Sequence, residues 1–206
     1  DVVLDGLAGE LTEKQKEILQ KSSNRIKSLT KLSTELLDLS KIESGLINQD
    51  REELNLVELI SGQIAFYQDK ADSKSIRLTT KETKKEIWMM GNRINIEEVV
   101  SNLISNALRY SPNGGTITAW ADEKSDCAKI AVSDTGLGIP QNDLEHIFDK
   151  FFRVKNEKTR NINGTGLGLA IVKSIVEAHH GTIEVESQVD KGTCFSIYFP
   201  RSEYKI

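Results

Sequence analysis

The sequence predicts an α+β chain: a two-layer α/β sandwich, a mixed sheet with helices on one face, preceded by the remnant of a long helical hairpin. Three observations carry this. From Thr12 to Ser44 no proline or glycine interrupts, and apolar residues recur at spacings of three and four. Beyond that stretch, segments of helical period alternate with short segments of period two. The chain then closes on two alternating runs around Asp190-Lys191-Gly192, a hairpin signature. Helices segregated to one side of such a sheet make a two-layer sandwich.

Taken in order, Asp1 to Asp5 reads as the tail of a helix that began earlier, and Gly6 to Leu11 as a turn. Thr12 with Gln15 has the form of a capping box. The helix that follows runs to about Ser44, with Ile26, Leu29, Leu32, Leu36, Leu39 and Ile42 along one seam. A lone helix of ~30 residues cannot bury such a stripe against itself. Two hairpins, one from each of two subunits, would close a four-helix bundle. Packing on the downstream domain is the alternative, disfavoured by the helix's length. The expected division is therefore 1–47 for the dimerisation hairpin, its first helix mostly missing, and 53–202 for a second domain.

Gly45 to Glu53 reads as a polar linker. Asn55 caps a helix through about Ala71, and Ser75 to Thr80 and Glu86 to Met90 are short strand candidates. A helix spans Asn92 to Tyr110, where Ile96, Val99, Val100, Leu103, Ile104, Ala107 and Leu108 form a wide apolar arc. Pro112 and the paired glycines 114 and 115 end it. Thr116 to Ala121 and Cys127 to Ser133 alternate as strands around a turn at Asp122 to Asp126. A glycine-rich loop, Asp134 to Pro140, leads to a short helix near Gln141 to Phe148. Arg153 to Asn163 is polar, and the strands of the last hairpin are Thr182 to Ser187 and Thr193 to Phe199.

Of the 206 residues, 38% are hydrophobic, which suits one or two domains with a sizeable core. The net charge of −4 and interspersed signs, without a basic block, argue against nucleic-acid binding. No apolar run has membrane-spanning length and nothing resembles a signal peptide, so a soluble piece without membrane contact is expected. Cys127 and Cys194 fall in strands and lack metal-ligand spacing; buried apolar thiols are the favoured reading, a disulfide the weaker one.

Chemistry concentrates in three stretches. In Gly164-Thr165-Gly166-Leu167-Gly168-Leu169 a glycine stands at every second position before a helix, so backbone N–H groups can approach a phosphate. Neither the dinucleotide fingerprint nor the Walker A loop fits it. On the helix after Asn92, Asn102, Asn106 and Arg109 share one face. Amide oxygens suit magnesium and Arg109 suits phosphate. A solvated face is the ordinary reading of an isolated Asn pair, but asparagine twice in mid-helix is costly. Asp134, with Gly136 and Gly138, stands where a strand gives way to a loop. A carboxylate there can accept from an exocyclic amine, and a turn-forming Asp is the equal alternative.

Together, Asn102 to Tyr110, Asp134 to Pro140, Phe148 to Val154, Gly164 to Leu169 and Gly192 to Phe195 resemble, in order and spacing, the boxes of a sensor histidine kinase catalytic domain. Leu36 to Gly45 is similar to the end of that family's second dimerisation helix. The resemblance implies the ATP-binding sandwich shared with gyrase, Hsp90 and MutL, and transfer of the ATP γ-phosphoryl group to histidine. It also implies a homodimer through the hairpin, a response regulator receiver domain as partner, and a cytoplasmic location. By position it implies Asn106 as the main Mg2+ ligand with Asn102 in support, and Arg109 and Tyr110 at the phosphates and ribose. Asp134, in the box with Gly136, Gly138 and Ile139, would read adenine, helped by Thr193 through water. Arg153 would reach the terminal phosphate, Gly164 to Leu169 would cradle the phosphates with backbone N–H groups from Gly166, Leu167 and Gly168, and Arg153 to Asn163 would be a lid.

The family's phosphoacceptor lies in a His-Glu/Asp motif on the first dimerisation helix, and His146, His179 and His180 do not match it. The chain is expected to be a piece of a longer protein. Gyrase-like ATPases place a water-activating Glu where Asn102 stands, and Glu98 is a further turn back. A hydrolytic ATPase module and a non-catalytic nucleotide-gated scaffold are the competing readings.

Overall fold

The computed structural model describes residues 9, 11–43, 50–81, 86–124, 126–160, 162 and 164–200. The expected helix tail at Asp1 to Asp5, most of the turn after it, and the linker residues 44–49 lie outside them. The first described element, α1 (Glu13–Glu43), starts at the expected capping box. Gln15 Oε1 accepts from the Thr12 N–H at 2.9 Å, and Thr12 Oγ1 accepts from the Gln15 N–H at 3.4 Å. Its seam divides in two. Leu39 and Ile42 are buried against the rest of the chain, where α1 packs on a later helix, while Ile18, Ile26, Leu29, Leu36 and Leu37 stay exposed. Packing on the downstream domain, disfavoured from the sequence, thus accounts for the C-terminal part of the stripe.

After α1 come β1 (Glu52–Asn55), α2 (Leu56–Asp72), β2 (Arg77–Thr79), β3 (Trp88–Gly91) and α3 (Arg93–Tyr110). Next are β4 (Thr116–Lys124), β5 (Cys127–Asp134), α4 (Gly168–Ala178), β6 (Thr182–Gln188) and β7 (Gly192–Pro200). Five strands form one mixed sheet in the order β2-β4-β5-β7-β6, with β2 parallel to β4 and the other pairs antiparallel. Alternation sends Ile117, Ala119, Ile130, Val132, Phe195 and Ile197 into the core. There they meet Ile96, Val100, Leu103 and Ile104 of α3 and Ile171 and Ile175 of α4. The opposite face is lined by Trp120 and Tyr198, over which Lys81 and Lys129 lay their stems; the Lys81 ammonium is 3.4 Å from the Trp120 ring centre.

Three details differ from expectation. The supposed linker end forms β1, antiparallel to β3 in a separate two-stranded sheet. Only Leu54 of its four residues is buried, too little alternation to read as a strand. The short helix near Gln141 to Phe148 is a single 3₁₀ turn, Gln141–Asp143, followed by further turns. Cys127 and Cys194 are free and half-buried, because both sit on the sheet face away from the helices. Among the described residues no helix is long and apolar enough to cross a membrane.

Candidate functional site

Between α3, the loop after β5 and the segment leading into α4 lies a cleft built from two adjoining compartments. They share Asn106, Tyr110, Ile147, Phe152, Arg153 and Leu169. The larger encloses about 670 Å³, its open mouth included.

At one end α3 supplies the wall. Its Asn92 side chain caps the helix by accepting from the Asn95 N–H at 3.1 Å. The buried arc of Leu103, Ile104, Ala107 and Leu108 fixes the rotation, so Asn102, Asn106 and Arg109 face the cleft half-buried. Arg109 Nη1 donates to Asn106 Oδ1 at 3.3 Å. Opposite them stands the start of α4. A Cβ on Gly168 would sit 3.0 Å from Asn102 Oδ1 and 4.0 Å from Asn106 Nδ2. Only a residue without a side chain lets the helix terminus come this close to both amides. Gly166 is left-handed at φ +78°, and a Cβ there would meet the Phe151 backbone at 2.7 Å. The Phe151 N–H in turn donates to the Gly166 carbonyl at 3.0 Å, clasping the segment. Thr165 Oγ1 accepts from the Leu167 N–H at 3.3 Å, and no side chain caps α4, which leaves N–H groups of its first turn facing the cleft.

The other end is apolar with one carboxylate. Asp134 ends β5 and lies opposite Thr193 in the ladder. Burial pushes its carboxyl up from the ordinary 3.8, while backbone N–H groups of Gly136 and Thr193 pull it partly back. The Gly136 N–H donates to Asp134 Oδ1 at 2.7 Å. The loop then folds onto the last hairpin. Gly138, at φ +65°, leaves no room for a Cβ, which would fall 2.0 Å from the Gln188 carbonyl oxygen. Ser187 Oγ accepts from the Ile139 N–H at 2.8 Å and lies 2.9 Å from Thr193 Oγ1, tying loop and hairpin together.

Between the compartments runs the segment expected to be a lid. Arg153 donates through Nη1 to the Gly164 carbonyl at 3.3 Å and through Nη2 to the Ile162 carbonyl, while its Nε is buried without a partner. The segment is less structureless than its composition suggests. Asn156 and Thr159 bond reciprocally, and Lys158, itself exposed, reaches Asp190 on the hairpin tip at 2.6 Å.

Asn102, Asn106, Arg109, Tyr110, Arg153 and Leu169 therefore converge with Gly164, Thr165, Gly166 and Gly168 at one end. Asp134, Gly138, Ile139 and Thr193 line the other. Two predicted residues stand behind the wall: Gly136 is buried beside Asp134 and Tyr110, and the Leu167 side chain is buried in the core. Sequence reasoning missed the apolar lining by Ile147 and Phe152, for which the adjacent aromatics Phe151 and Phe152 were the available signal. It also missed Ser187, which nothing in the sequence marks, and Lys31 and Glu35, which reach the cleft from α1.

The histidines lie elsewhere. His146 is exposed, 3.0 Å from Asp149. His179 is buried at the end of α4, bonded through Nδ1 to the Ile175 carbonyl and accepting from the Asn92 N–H at Nε2. Glu98 lines neither compartment; burial, then Asp38 and Glu35 nearby, raise its pKa.

Residues 91–203 match the family described as histidine kinase-, DNA gyrase B-, and HSP90-like ATPase. The chain is 34% identical over 201 residues to the sensor protein SrrB of Staphylococcus aureus strain N315, covering 98% of this chain and 34% of that protein. It thus spans about a third of the length of the curated relatives it matches. Among solved structures, the histidine kinase AdeS of Acinetobacter baumannii aligns at TM-score 0.73 and 26% identity over 98% of this chain and 91% of that one. The catalytic domain of the histidine kinase ThkA aligns at 0.65 and 27% over 74% and 97%. With both ends of the cleft built from the motifs that carry the likeness, the chain belongs to the histidine kinase-, gyrase- and HSP90-like ATPase family, as the catalytic ATPase domain of a sensor histidine kinase.

Proposed function

We propose that this domain binds Mg·ATP across the cleft and transfers the γ-phosphoryl group to a histidine on a dimerisation hairpin. The observation that carries this reading is the close approach of Gly168 to Asn102 and Asn106, two amides held against an open helix terminus. The donor set fits magnesium. Among the described residues no group of three or more His, Cys, Asp or Glu could hold a metal, and hard amide oxygens beside a phosphate cradle suit a cation that takes few protein ligands. Asn106 is the main ligand and Asn102 its support. When bound, the metal neutralises charge on the phosphates.

The chain's own groups orient the nucleotide. Asp134 accepts from the adenine amine, with Thr193 beside it, and Ile139, Ile147 and Phe152 cover the base. Tyr110 borders the ribose. Arg109 and Arg153 pair with phosphate oxygens, and the Gly164 to Leu169 backbone cradles them. Positioning of this kind is the main contribution a protein makes to phosphoryl transfer.

The same reading divides the chain into a dimerisation part, 1–47, and a catalytic part, 53–202, on the cytoplasmic side. The exposed apolar residues Ile18, Ile26 and Leu29 of α1 support a homodimer. ThkA has been solved in complex with the response regulator protein TrrA, and a receiver domain is the partner class we carry over from it. A separate histidine-bearing hairpin, mixed with this chain and γ-labelled ATP, tests the transfer. Label on the histidine is expected; free phosphate alone would make the domain a gyrase-like hydrolase, and neither product would make it a scaffold.

A further inference from the structure

Residues of α1, outside the family match at 91–203, enter the phosphate compartment. Lys31 and Glu35 line it together with Asn102, Asn106 and Arg109, and Lys31 also borders the adjoining groove beside Arg109 and Arg153. Lys31 and Glu35 form an ion pair at 3.5 Å, but unequally: the Lys31 side chain is 56% exposed and that of Glu35 12%. Glu35 Oε2 is buried without a hydrogen-bond partner. Glu35 is therefore held in the wall, and Lys31 is the member free to move. At 3.5 Å the pair is long, and the order Lys before Glu along a helix is the poorer one. The Lys70 ammonium is held below its ordinary pKa first by burial and then by Arg109, Lys31 and Lys74. Lys31 and Arg109 thus stand together at the end of the cleft away from Asp134.

We propose that Lys31 is a binding residue for the terminal phosphate of the nucleotide, so that the helix preceding the fold distinguishes a triphosphate from a diphosphate. The assignment rests on the Mg·ATP reading. A lysine is a mobile point charge on a long stem, suited to leave Glu35 for a more highly charged oxygen cluster. A diphosphate, anchored at the same base site, ends one phosphate short of it. By linkage, a triphosphate then strengthens the docking of α1 by the factor that docking adds to triphosphate affinity.

Calorimetric titration of the whole chain with a non-hydrolysable ATP analogue and with ADP, each with magnesium, tests this. Lys31→Gln should weaken the triphosphate about three- to tenfold and ADP less than about twofold. Lys31→Arg should retain most of the discrimination. Lys21→Gln, which removes an exposed lysine of α1 paired with Glu17 at 2.5 Å, should change neither affinity. In the wild type, the triphosphate preference should shrink with added salt. Equal losses for both nucleotides in Lys31→Gln, or no loss, would overturn the role of Lys31. Failure of the wild-type chain to bind either nucleotide would instead overturn the Mg·ATP reading, and Lys31's role with it.

Discussion

The two ends of the cleft are made differently. At the base end the backbone has no slack: Gly138 is pressed against the Gln188 carbonyl, Gly192 against that of Asp134, and Ser187 ties the Ile139 N–H to the hairpin. One half-buried carboxylate stands in a mostly apolar wall that also holds Thr159 and Thr193. At the phosphate end the wall is assembled from α1, α3, the lid and the start of α4; Arg109 to Asn106 and Arg153 to Gly164 are both 3.3 Å, and Arg153 bonds the Ile162 carbonyl more closely. A preorganised end can discriminate: on the proposed reading, a base lacking the amine would leave Asp134 unpaired. An end made of loosely bonded side chains from four elements can respond to what enters it. The contrast suits the proposed function, in which one base is held and one phosphate passed on.

Glycine substitution should break the comparison most visibly. Gly138→Ala puts a Cβ into the Gln188 carbonyl at a left-handed φ, and should cost about 3 kcal/mol or more in urea unfolding, with loss of ATP binding. Gly164→Ala meets only the flexible Arg109 Nη1 at 3.3 Å and should unfold within about 0.5 kcal/mol of the parent. Equal costs would mean that the two ends are equally rigid.

Asp134→Asn tests the carboxylate apart from the loop. It should weaken ATP about 10- to 100-fold by calorimetry, since the donor and acceptor no longer match. The fold should not suffer. Burial raises the native pKa of Asp134 above its unfolded value, so the native state binds the proton more tightly. Stability is then lost as pH rises from about 3.9 through the native pKa, and the neutral amide escapes that loss. The variant should melt no lower than the parent at pH 7. Unchanged ATP affinity would remove Asp134 from the base pocket.

Asn106→Ala should abolish the magnesium dependence of ATP binding while raising stability by about 0.5 kcal/mol, because alanine is the better helix former. A magnesium titration that matches the parent's would withdraw the ligand assignment. The smallest effect concerns the frame that both ends share. His179 joins the end of α4 to the cap of α3, and burial, with Arg51 and His180 adding to it, keeps its imidazole neutral below its ordinary pKa of 6.5. The unfolded chain therefore takes up that proton first, and stability should fall as pH drops through 6.5. His179→Gln should flatten this part of a Tm-against-pH curve; an unaltered curve would place the titrating group elsewhere.

Most elements were legible because period and punctuation agree. The arc on α3, the glycines before α4 and the capping box at Thr12 are local signals, and each appears where the residues put it. What failed to read was non-local. β1 exists only because β3 is there to pair with it, and the segment after Gln141 takes a 3₁₀ turn and further turns while still packing Leu144, Ile147 and Phe148 on the core.

For the site, an amide pair, a carboxylate at a strand end and a glycine-rich segment could each be picked out locally as candidates, and all three line the cleft. Tertiary structure alone decided that Gly168 comes within reach of Asn102 and Asn106. It alone brought Ser187 behind Thr193 and Lys31 of α1 to the compartment of Asn102 and Asn106. Such pairings join elements far apart in the chain, and the packing of helices on a twisted sheet fixes them in ways no local spacing records.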